Sequence, residues 1–341
     1  MNEFVRMDET SGGVSTDSRH VSSRPDSRRK PINRSQRSLR RPSREAYSTR
    51  TVEFDSDGET CVGTLYLPDR PERPPVVVMA PGLGMWRSFG LPAVAERFAE
   101  AGYAAFTFDF RHLGDSGGEP RGLVSPSKQI DDFEAAIDAM GSLEDVDANR
   151  LVIWGHSLAG GHALSVAAET FRVAGVIAVC PFVDGRANAL ALARRPKRLL
   201  KSLAAGSRDA LGHRVGLGTS VRIVDDPEGF GVVTAPGAKR AVFDLVDRHA
   251  DWDNRVPARI LLSLPRYRPI TRVQEIRCPA FVIGGRDDRV VPPEGPSSAA
   301  EGIADATYLE APVDHMSVFA ADFEATVDHQ LAFLRRVVGH R

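Results

Sequence analysis

Long hydrophobic runs and cysteines are both scarce in this chain of 341 residues. The longest purely apolar runs, such as Val76–Ala80, have about five residues, whereas a membrane-spanning helix needs about 20. No apolar segment follows the early basic residues, so the sequence predicts no secretory signal peptide. Cys61, Cys180 and Cys278 are too few and too scattered for a disulfide framework or a zinc site. These absences argue against a membrane-spanning or disulfide-rich protein and predict a cytoplasmic one.

The net charge of −1 hides two parts of opposite charge. Residues 1–50 hold twelve basic and six acidic residues, whereas the other 291 residues carry a net charge of −7. Residues 1–48 contain ten serines and no hydrophobic periodicity, so we predict that this tail is disordered. A basic tail can contact nucleic acid or anionic lipid, but no Phe, Trp or Tyr lies between Arg6 and Arg44 to stack on bases. A solvated tail is the simpler interpretation, and we predict no nucleic-acid partner.

Short, continuously apolar segments alternate with segments of helical periodicity in the rest of the chain. Such apolar segments are typical of strands that are covered on both faces of a parallel sheet. The predicted strands are Pro75–Ala80, Ala104–Phe110, Arg150–Trp154, Ala174–Cys180 and Pro279–Ile283. The predicted helices are Leu91–Ala101, Gln129–Met140, Leu158–Thr170 and Asp322–Val338. The alternation predicts a doubly wound α/β fold, and a hairpin that turns at Asp57-Gly58 precedes it.

About 90 residues, from Gly185 to Cys278, interrupt this alternation with helical and loop signals but no strong strand. A basic amphipathic helix is predicted over Leu190–Leu203 and another helix over Lys239–Arg248. Because a structureless loop of this length is implausible in a compact domain, we predict a folded lid insertion at about residues 186–278. The domain core would then comprise residues 49–185 and 279–341. A solvated basic face is the simpler interpretation of the first helix, although its cations could meet an anionic substrate.

Ser157 lies in the sequence R-L-V-I-W-G-H-S-L-A-G-G, on the turn between a predicted strand and a predicted helix. A serine on such a turn exposes its hydroxyl, and it needs small residues two positions before and after it, here Gly155 and Ala159. We interpret Ser157 as a nucleophile. The alternative is a serine that caps an ordinary helix.

A nucleophilic serine needs a general base and a carboxylate that orients the base. In this architecture the acid and then the histidine follow the serine along the chain, each after a later strand. Asp287 and Asp288 follow a predicted strand, and His315 follows the short predicted strand Thr307–Leu309. His112 is a weaker candidate for the base, and the side chain of His156 should point away from the serine.

This ordered set of residues resembles the α/β hydrolases, and the resemblance covers about residues 50–341. The family often carries G-x-x-D-x-V-(x)-P around its acid, which implies Asp288 rather than Asp287. The sequence F-D-F-R-H-L-G-D-S resembles a loop of the family and implies architectural roles for Asp109 and Arg111. The runs M-A-P-G-L-G and A-V-C-P-F resemble members related to Xaa-Pro dipeptidyl-peptidases and to fungal polyketide transferases.

Acyl chemistry also needs N–H groups aimed at the developing oxyanion, each worth about 2.7–4 kcal/mol. The residue after the nucleophile, Leu158, should supply one backbone N–H. The turn Ala80–Trp86 should supply the other, and we predict the N–H of Leu83. Similar enzymes carry His-Gly at this turn, whereas Pro81 stands in place of the histidine here.

The sequence therefore predicts a serine hydrolase that acts on a small-molecule carboxylic ester, thioester or amide through an acyl-enzyme. No metal or organic cofactor is predicted, because the histidines and cysteines lack the spacing of metal ligands. Two alternatives stay open: an acyltransferase with the same three residues and an acceptor other than water, and a non-catalytic binding protein on the same fold. The sequence does not predict the oligomeric state.

Overall fold

A nine-stranded sheet and a separate three-stranded sheet organise the chain in the computed structural model, which describes residues 2–6, 46–70, 72–247, 249–320 and 322–339. The strands are β1 (Glu3–Arg6), β2 (Tyr47–Ser56), β3 (Glu59–Pro68), β4 (Pro75–Ala80), β5 (Ala104–Phe108), β6 (Asp147–His156), β7 (Gly175–Val179), β8 (Ser220–Val224), β9 (Gly231–Val233), β10 (Arg255–Pro257), β11 (Ala280–Gly285) and β12 (Ala306–Ala311). The α-helices are α1 (Leu91–Glu100), α2 (Pro126–Gly141), α3 (Leu158–Glu169), α4 (Gly185–Ala193), α5 (Pro196–Gly212), α6 (Ala238–Leu245), α7 (Ile260–Ser263), α8 (Glu294–Gly302) and α9 (Phe323–Val338).

The large sheet has the strand order β1-β12-β11-β7-β6-β4-β5-β3-β2. Strand β3 pairs antiparallel with β2 and β5, and the other neighbouring strands pair in parallel. The hairpin turns at Asp57 and Gly58, whose φ angles of 56° and 80° suit a two-residue turn. Strand β4 lies between β5 and β6, so the chain changes direction across the sheet there and leaves a crevice at the carboxyl ends of these strands.

Helices cover both faces of the sheet, as the doubly wound pattern predicts. On β4, Val76 and Val78 pack into one apolar cluster, whereas Val77 and Met79 pack into a second cluster on the other face. Residues from α2 and α3 belong to the first cluster, and residues from α1 and α9 belong to the second. This two-sided burial is why β4 is a continuous apolar run rather than an alternating one. The predicted α/β-hydrolase fold class is confirmed.

The segment between β7 and β11 differs from its prediction in two respects. It contains three strands, which form a small sheet in the order β10-β8-β9, although no strong strand was expected. Their lengths of five, three and three residues are too short to give a periodic signal. The single helix predicted over Leu190–Leu203 is also wrong: Arg195 adopts φ −122° and ψ 72°, and the chain continues as two helices. Pro196 causes this break because a proline disfavours helical geometry in the residue before it.

The structure describes only the two ends of the range 1–48 that the sequence predicts to be disordered, and both ends contain strand residues. Glu3–Arg6 forms strand β1, which pairs in parallel with β12, and Tyr47 already belongs to β2. Val5 packs against the second apolar cluster, and this contact stabilises a strand of four residues that is too short to be recognised in the sequence. The rest of the predicted tail, residues 7–45, lies outside the described residues. Within the described ranges, no helix is both long enough and apolar enough to cross a membrane.

Candidate active site

Ser157 stands on a strained turn between β6 and α3. Its φ of 57° and ψ of −119° are unusual for a residue with a side chain, and they turn the serine out of the sheet. Its backbone is held by a bond from its N–H to the Val179 carbonyl and by one from the Phe182 N–H to its own carbonyl. A Cβ atom on Gly155 would lie 2.1 Å from the Ala159 carbonyl oxygen, so only glycine fits there. The short side chain of Ala159 is accommodated two residues after the serine, where the family pattern has glycine.

His315 connects Ser157 to Asp288 through two hydrogen bonds. The Ser157 hydroxyl donates to Nε2 of His315 across 2.8 Å, and Nδ1–H of His315 donates to Oδ2 of Asp288 across 2.6 Å. Asp288 follows β11 and His315 follows β12, so parallel strands bring the three groups to one edge of the sheet. The Asp288 and His315 side chains are 0% and 8% exposed, so water competes little for their bond. The structure thus brings together the serine, histidine and aspartate that the sequence nominated.

Asp288 is held as a carboxylate in spite of its burial. Burial raises its pKa, but hydrogen bonds from His315 and from the backbone N–H groups of Val290 and Val291 outweigh that effect, so the pKa lies below its usual value. Both backbone N–H groups reach Oδ1 at 2.8 Å. The neighbouring Asp287 is exposed and takes no part in this arrangement.

The ring of His156 contacts the backbone of His315, and sequence reasoning missed this contact. The sequence predicted that the side chain of His156 points away from Ser157, but it did not predict which group the ring contacts. In the structure Nε2–H of His156 donates to the backbone carbonyl of His315 across 2.8 Å, and the two ring centroids lie 4.7 Å apart. Burial, together with the nearby His315, lowers the pKa of His156 to about 3, so the ring is neutral. The only signal in the sequence was the position of His156 beside the serine.

The turn after β4 packs against the serine. A Cβ atom on Gly82 would lie 3.2 Å from Cβ of Ser157, so the backbone of this turn approaches the serine closely. Within the described residues, the backbone N–H groups of Leu83 and Leu158 have no hydrogen-bond acceptor. Leu158 begins α3, where a free N–H carries the positive end of the helix dipole. Leu158 follows Ser157 directly in the chain, and Leu83 lines the same cleft as the serine.

An apolar cleft opens above Ser157 and His315. Its walls come from the turn after β4, from the loops after β11 and β12, and from β8, β9 and α6 of the segment between β7 and β11. The lining residues are Gly82, Leu83, Met85, His156, Ser157, Ile223, Val224, Val233, Ala238, Val242, Val290, His315 and Met316. Sequence reasoning missed Ile223 and Val224 as cleft residues, although the alternation in S-V-R-I-V was a weak strand signal. A cleft with such apolar walls favours the binding of an apolar group.

Three other polar residues that the sequence singled out, Asp109, Arg111 and His112, do not line the cleft. Asp109 is buried and accepts hydrogen bonds from Arg87 and from the Asp115 backbone. Arg111 is buried against Asp132. His112 packs against Gly118 in the loop after β5, and it is not among the residues that line the cleft.

Cys180 is a buried free cysteine close to this site, which the sequence analysis considered only as a possible disulfide partner or zinc ligand. Its Sγ lies with the ligand atoms of Asp288 and His315 inside a group that spans 4.8 Å, the one three-residue set of possible metal ligands among the described residues. Burial raises the thiol pKa well above 9.0, and Asp288 already binds His315. A protonated thiol and an occupied carboxylate do not favour a metal ion here.

Comparison with known proteins identifies the family of this chain and several relatives. A model of the family described as serine aminopeptidase, S33, matches residues 71–310. The quorum-quenching protein AidA of Acinetobacter baumannii is 35% identical over 84% of this chain and 94% of its own. A thiohydrolase of Eupenicillium brefeldianum is 26% identical over 86% of this chain and 96% of its own. The polyketide transferase claH of Penicillium crustosum is 27% identical over 84% and 97% of the two chains.

A solved structure shows the same fold. The α/β hydrolase GrgF from Penicillium sp. sh18 superposes with a TM-score of 0.75 and 24% identity, over 86% of this chain and all of its own. The resemblance to α/β hydrolases and polyketide transferases that the motifs indicated is thereby confirmed. With the S33 model matching more than half of its length, the chain belongs to the serine aminopeptidase S33 family of α/β hydrolases.

Proposed function

We propose that this protein is a serine hydrolase that cleaves a small carboxylic ester, thioester or amide with an apolar acyl group. One observation carries the proposal: Ser157, His315 and Asp288 form a continuous hydrogen-bonded line at the floor of an apolar cleft. The arrangement meets the geometric requirement for an activated serine, namely a base within reach of the hydroxyl and a carboxylate that orients the base.

Acylation begins when Nε2 of His315 takes the hydroxyl proton of Ser157 as Oγ attacks the substrate carbonyl carbon. The proton has a short path because the two atoms are already 2.8 Å apart. Asp288 stabilises the imidazolium that forms, since its pKa is held low and it stays ionised. The carbonyl oxygen becomes an oxyanion and accepts hydrogen bonds from the N–H groups of Leu83 and Leu158. Collapse of this intermediate expels the alcohol, thiol or amine, which takes the proton from Nε2.

Deacylation repeats the sequence with water as the nucleophile. A water molecule gives its proton to Nε2 of His315 and attacks the acyl carbon. The second oxyanion uses the same two N–H donors. When it collapses, the bond to Oγ breaks and Ser157 regains the proton from His315. The products are a carboxylic acid and the leaving group released in the first stage, so no metal or organic cofactor is required.

The walls of the cleft support an apolar acyl group. Ile223, Val224, Val233 and Val242 all belong to the segment between β7 and β11, so we also propose that residues 186–278 act as a lid that forms the acyl pocket. The names of two relatives, a thiohydrolase and a polyketide transferase, favour thioesters over peptides.

Labelling with a fluorophosphonate tests the proposal. The probe should modify the folded protein at Ser157, as peptide mass spectrometry would show, and Ser157→Ala should abolish both the label and the hydrolysis of nitrophenyl esters. Ser142→Ala, at the exposed end of α2, is the matched control and should behave as wild type. The non-catalytic alternative would be supported if the folded wild-type protein is not labelled. It should then also hydrolyse no ester or thioester across a range of acyl lengths.

Acyl transfer to an alcohol or amine is the second candidate function. It is favoured by the relative named polyketide transferase, which is 27% identical to this chain. The same residues would act, and an acceptor hydroxyl or amine would replace water in the second stage. Product analysis with a thioester substrate and competing acceptors separates the two functions: free acid alone indicates hydrolysis, and an ester or amide product indicates transfer.

A further inference from the structure

Helices α4 and α5 and the turns after them expose an unusual amount of apolar surface. Six of the nine large apolar side chains that are exposed in the described residues lie in this segment. They are Leu190, Leu200, Leu203, Leu211, Val215 and Leu217, with exposed fractions between 46% and 80%. Soluble proteins rarely leave a contiguous apolar surface without a partner.

On α5 the exposed leucines form a stripe that points away from the protein. Leu200, Leu203 and Leu211 fall within about 80° of one another around a helix of 3.6 residues per turn. The buried residues Ser202 and Asp209 lie on the opposite side of the helix. The stripe is therefore a second, outward-facing apolar surface rather than part of the protein core.

Cations surround this stripe. Residues 185–217 contain eight basic residues and one acid, a net charge of +7, whereas the rest of residues 51–341 carries −14. The basic residues are Arg186, Arg194, Arg195, Lys197, Arg198, Lys201, Arg208 and Arg214, and all but Arg198 are exposed. The single acid, Asp209, is buried and bonded to the Arg259 guanidinium at 2.7 Å. The outer surface of this segment, the cationic face, consequently carries positive charge alone.

We propose that the cationic face docks on an anionic lipid surface, with the leucine stripe in the headgroup region and the basic side chains against lipid phosphates. Apolar side chains flanked by Lys and Arg on an exposed helix are the pattern of interfacial membrane binding, which needs no spanning helix. The cationic face itself does not line the cleft, whose walls in this part of the chain come from β8, β9 and α6.

The charge distribution argues against other occupants of the cationic face. A second copy of the chain would have to bring two faces of charge +7 together, and like charges oppose such contact. Nucleic acid would match the charge, but it would leave the leucines without an apolar partner, and no Phe, Tyr or Trp lies in residues 185–217 for bases to stack on.

Co-sedimentation of the full chain with vesicles tests the proposal. Wild type should bind vesicles that mix phosphatidylcholine with phosphatidylglycerol, and it should bind much less to pure phosphatidylcholine. The double variants Lys197→Glu/Arg208→Glu and Leu200→Ser/Leu211→Ser should each lower the partition coefficient roughly tenfold or more. The matched controls are Arg70→Glu/Arg335→Glu, with the same change of charge outside the cationic face, and Phe171→Ser, which removes an exposed apolar side chain elsewhere. Both should bind as wild type.

All the proteins compared contain the basic residues 1–50, so differences among them report on the cationic face. Equal binding to neutral and anionic vesicles, or wild-type binding by both double variants, would overturn the proposal. Self-association that Leu200→Ser/Leu211→Ser abolishes, without vesicle binding by the wild type, would identify a second copy as the occupant instead. The thermal unfolding midpoint of each variant should equal that of the wild type, which separates loss of binding from loss of fold. Vesicle binding can be measured whether or not the protein hydrolyses esters, so the two proposals can fail independently.

Discussion

The ring of His156 and the backbone of His315 are joined by a hydrogen bond of 2.8 Å, although the two residues are 159 positions apart in the chain. His156 ends β6 and therefore moves with the turn that carries Ser157, whereas His315 belongs to the loop after β12. Phe319 packs edge-on against the His156 ring, with centroids 4.8 Å apart. The bond thus fixes the base relative to the nucleophile through the main chain, independently of Asp288.

Acidification should destabilise the fold because two histidines are buried as neutral rings. Burial lowers the pKa of His156 and of His162 from 6.5 to about 3. Below pH 6.5 the unfolded chain therefore binds protons that the folded chain does not, and the free energy of unfolding falls as the pH falls towards 3. Urea unfolding measured across this window should give a shallower pH dependence for His162→Gln than for wild type. His249→Gln removes an exposed histidine and should keep the wild-type slope; identical slopes in all three proteins would contradict the prediction.

Substitution of Asp288 and of its neighbour Asp287 tests which carboxylate orients His315. Asp288→Asn should lower kcat for ester hydrolysis by about 10³–10⁴-fold, because an amide cannot stabilise the imidazolium and can hold His315 in the wrong tautomer. Asp287→Asn should leave kcat close to wild type, since the Asp287 side chain is exposed to solvent. Steady-state measurement of kcat for both variants distinguishes the two carboxylates. The reverse order of effects would assign the orienting carboxylate to Asp287.

The sequence carried most of the information about the sheet, because parallel strands buried on both faces leave continuous apolar runs such as Val76–Ala80. The positions of Ser157, Asp288 and His315 were predictable for a related reason: each follows one of these strands, and the carboxyl ends of parallel strands meet at one edge. Local spacing then nominated the residues, and the fold brings them within hydrogen-bond distance.

Features that depend on contacts between distant segments could not be predicted in this way. Strand β8 is five residues long and becomes a strand only because β9 and β10 pair with it. Strand β1 likewise depends on the free edge of β12. The bond from His156 to the His315 carbonyl has no signature in the residue types, since a backbone acceptor is present at every position. Tertiary pairing, rather than local propensity, determines each of these features.

Gly155 should be irreplaceable for steric reasons. A Cβ atom there would lie 2.1 Å from the Ala159 carbonyl oxygen, and the backbone of the buried helix α3 cannot move aside without cost. Gly155→Ala should lower the free energy of unfolding by about 3 kcal/mol and abolish fluorophosphonate labelling. Gly295→Ala is the control, because its Cβ atom would meet only a Val183 side-chain atom at 3.5 Å, and it should be neutral or slightly stabilising. Comparable stability of the two variants in urea would mean that the turn is more adaptable than the structure indicates.

Cys180 lies close enough to Asp288 and His315 to compete with Ser157 as a nucleophile, and its protonation state argues that it does not. A thiol attacks as the thiolate, yet burial and the neighbouring Asp288 carboxylate raise the pKa of this thiol well above 9.0. Iodoacetamide should therefore leave the folded protein active and Cys180 unmodified, as peptide mass spectrometry would show, and Cys180→Ser should keep wild-type labelling by fluorophosphonate. Unfolding in urea before alkylation should expose the thiol and allow its modification, which controls for reagent quality. Rapid alkylation of Cys180 in the folded protein, with parallel loss of ester hydrolysis, would contradict the prediction and indicate a reactive thiolate beside His315.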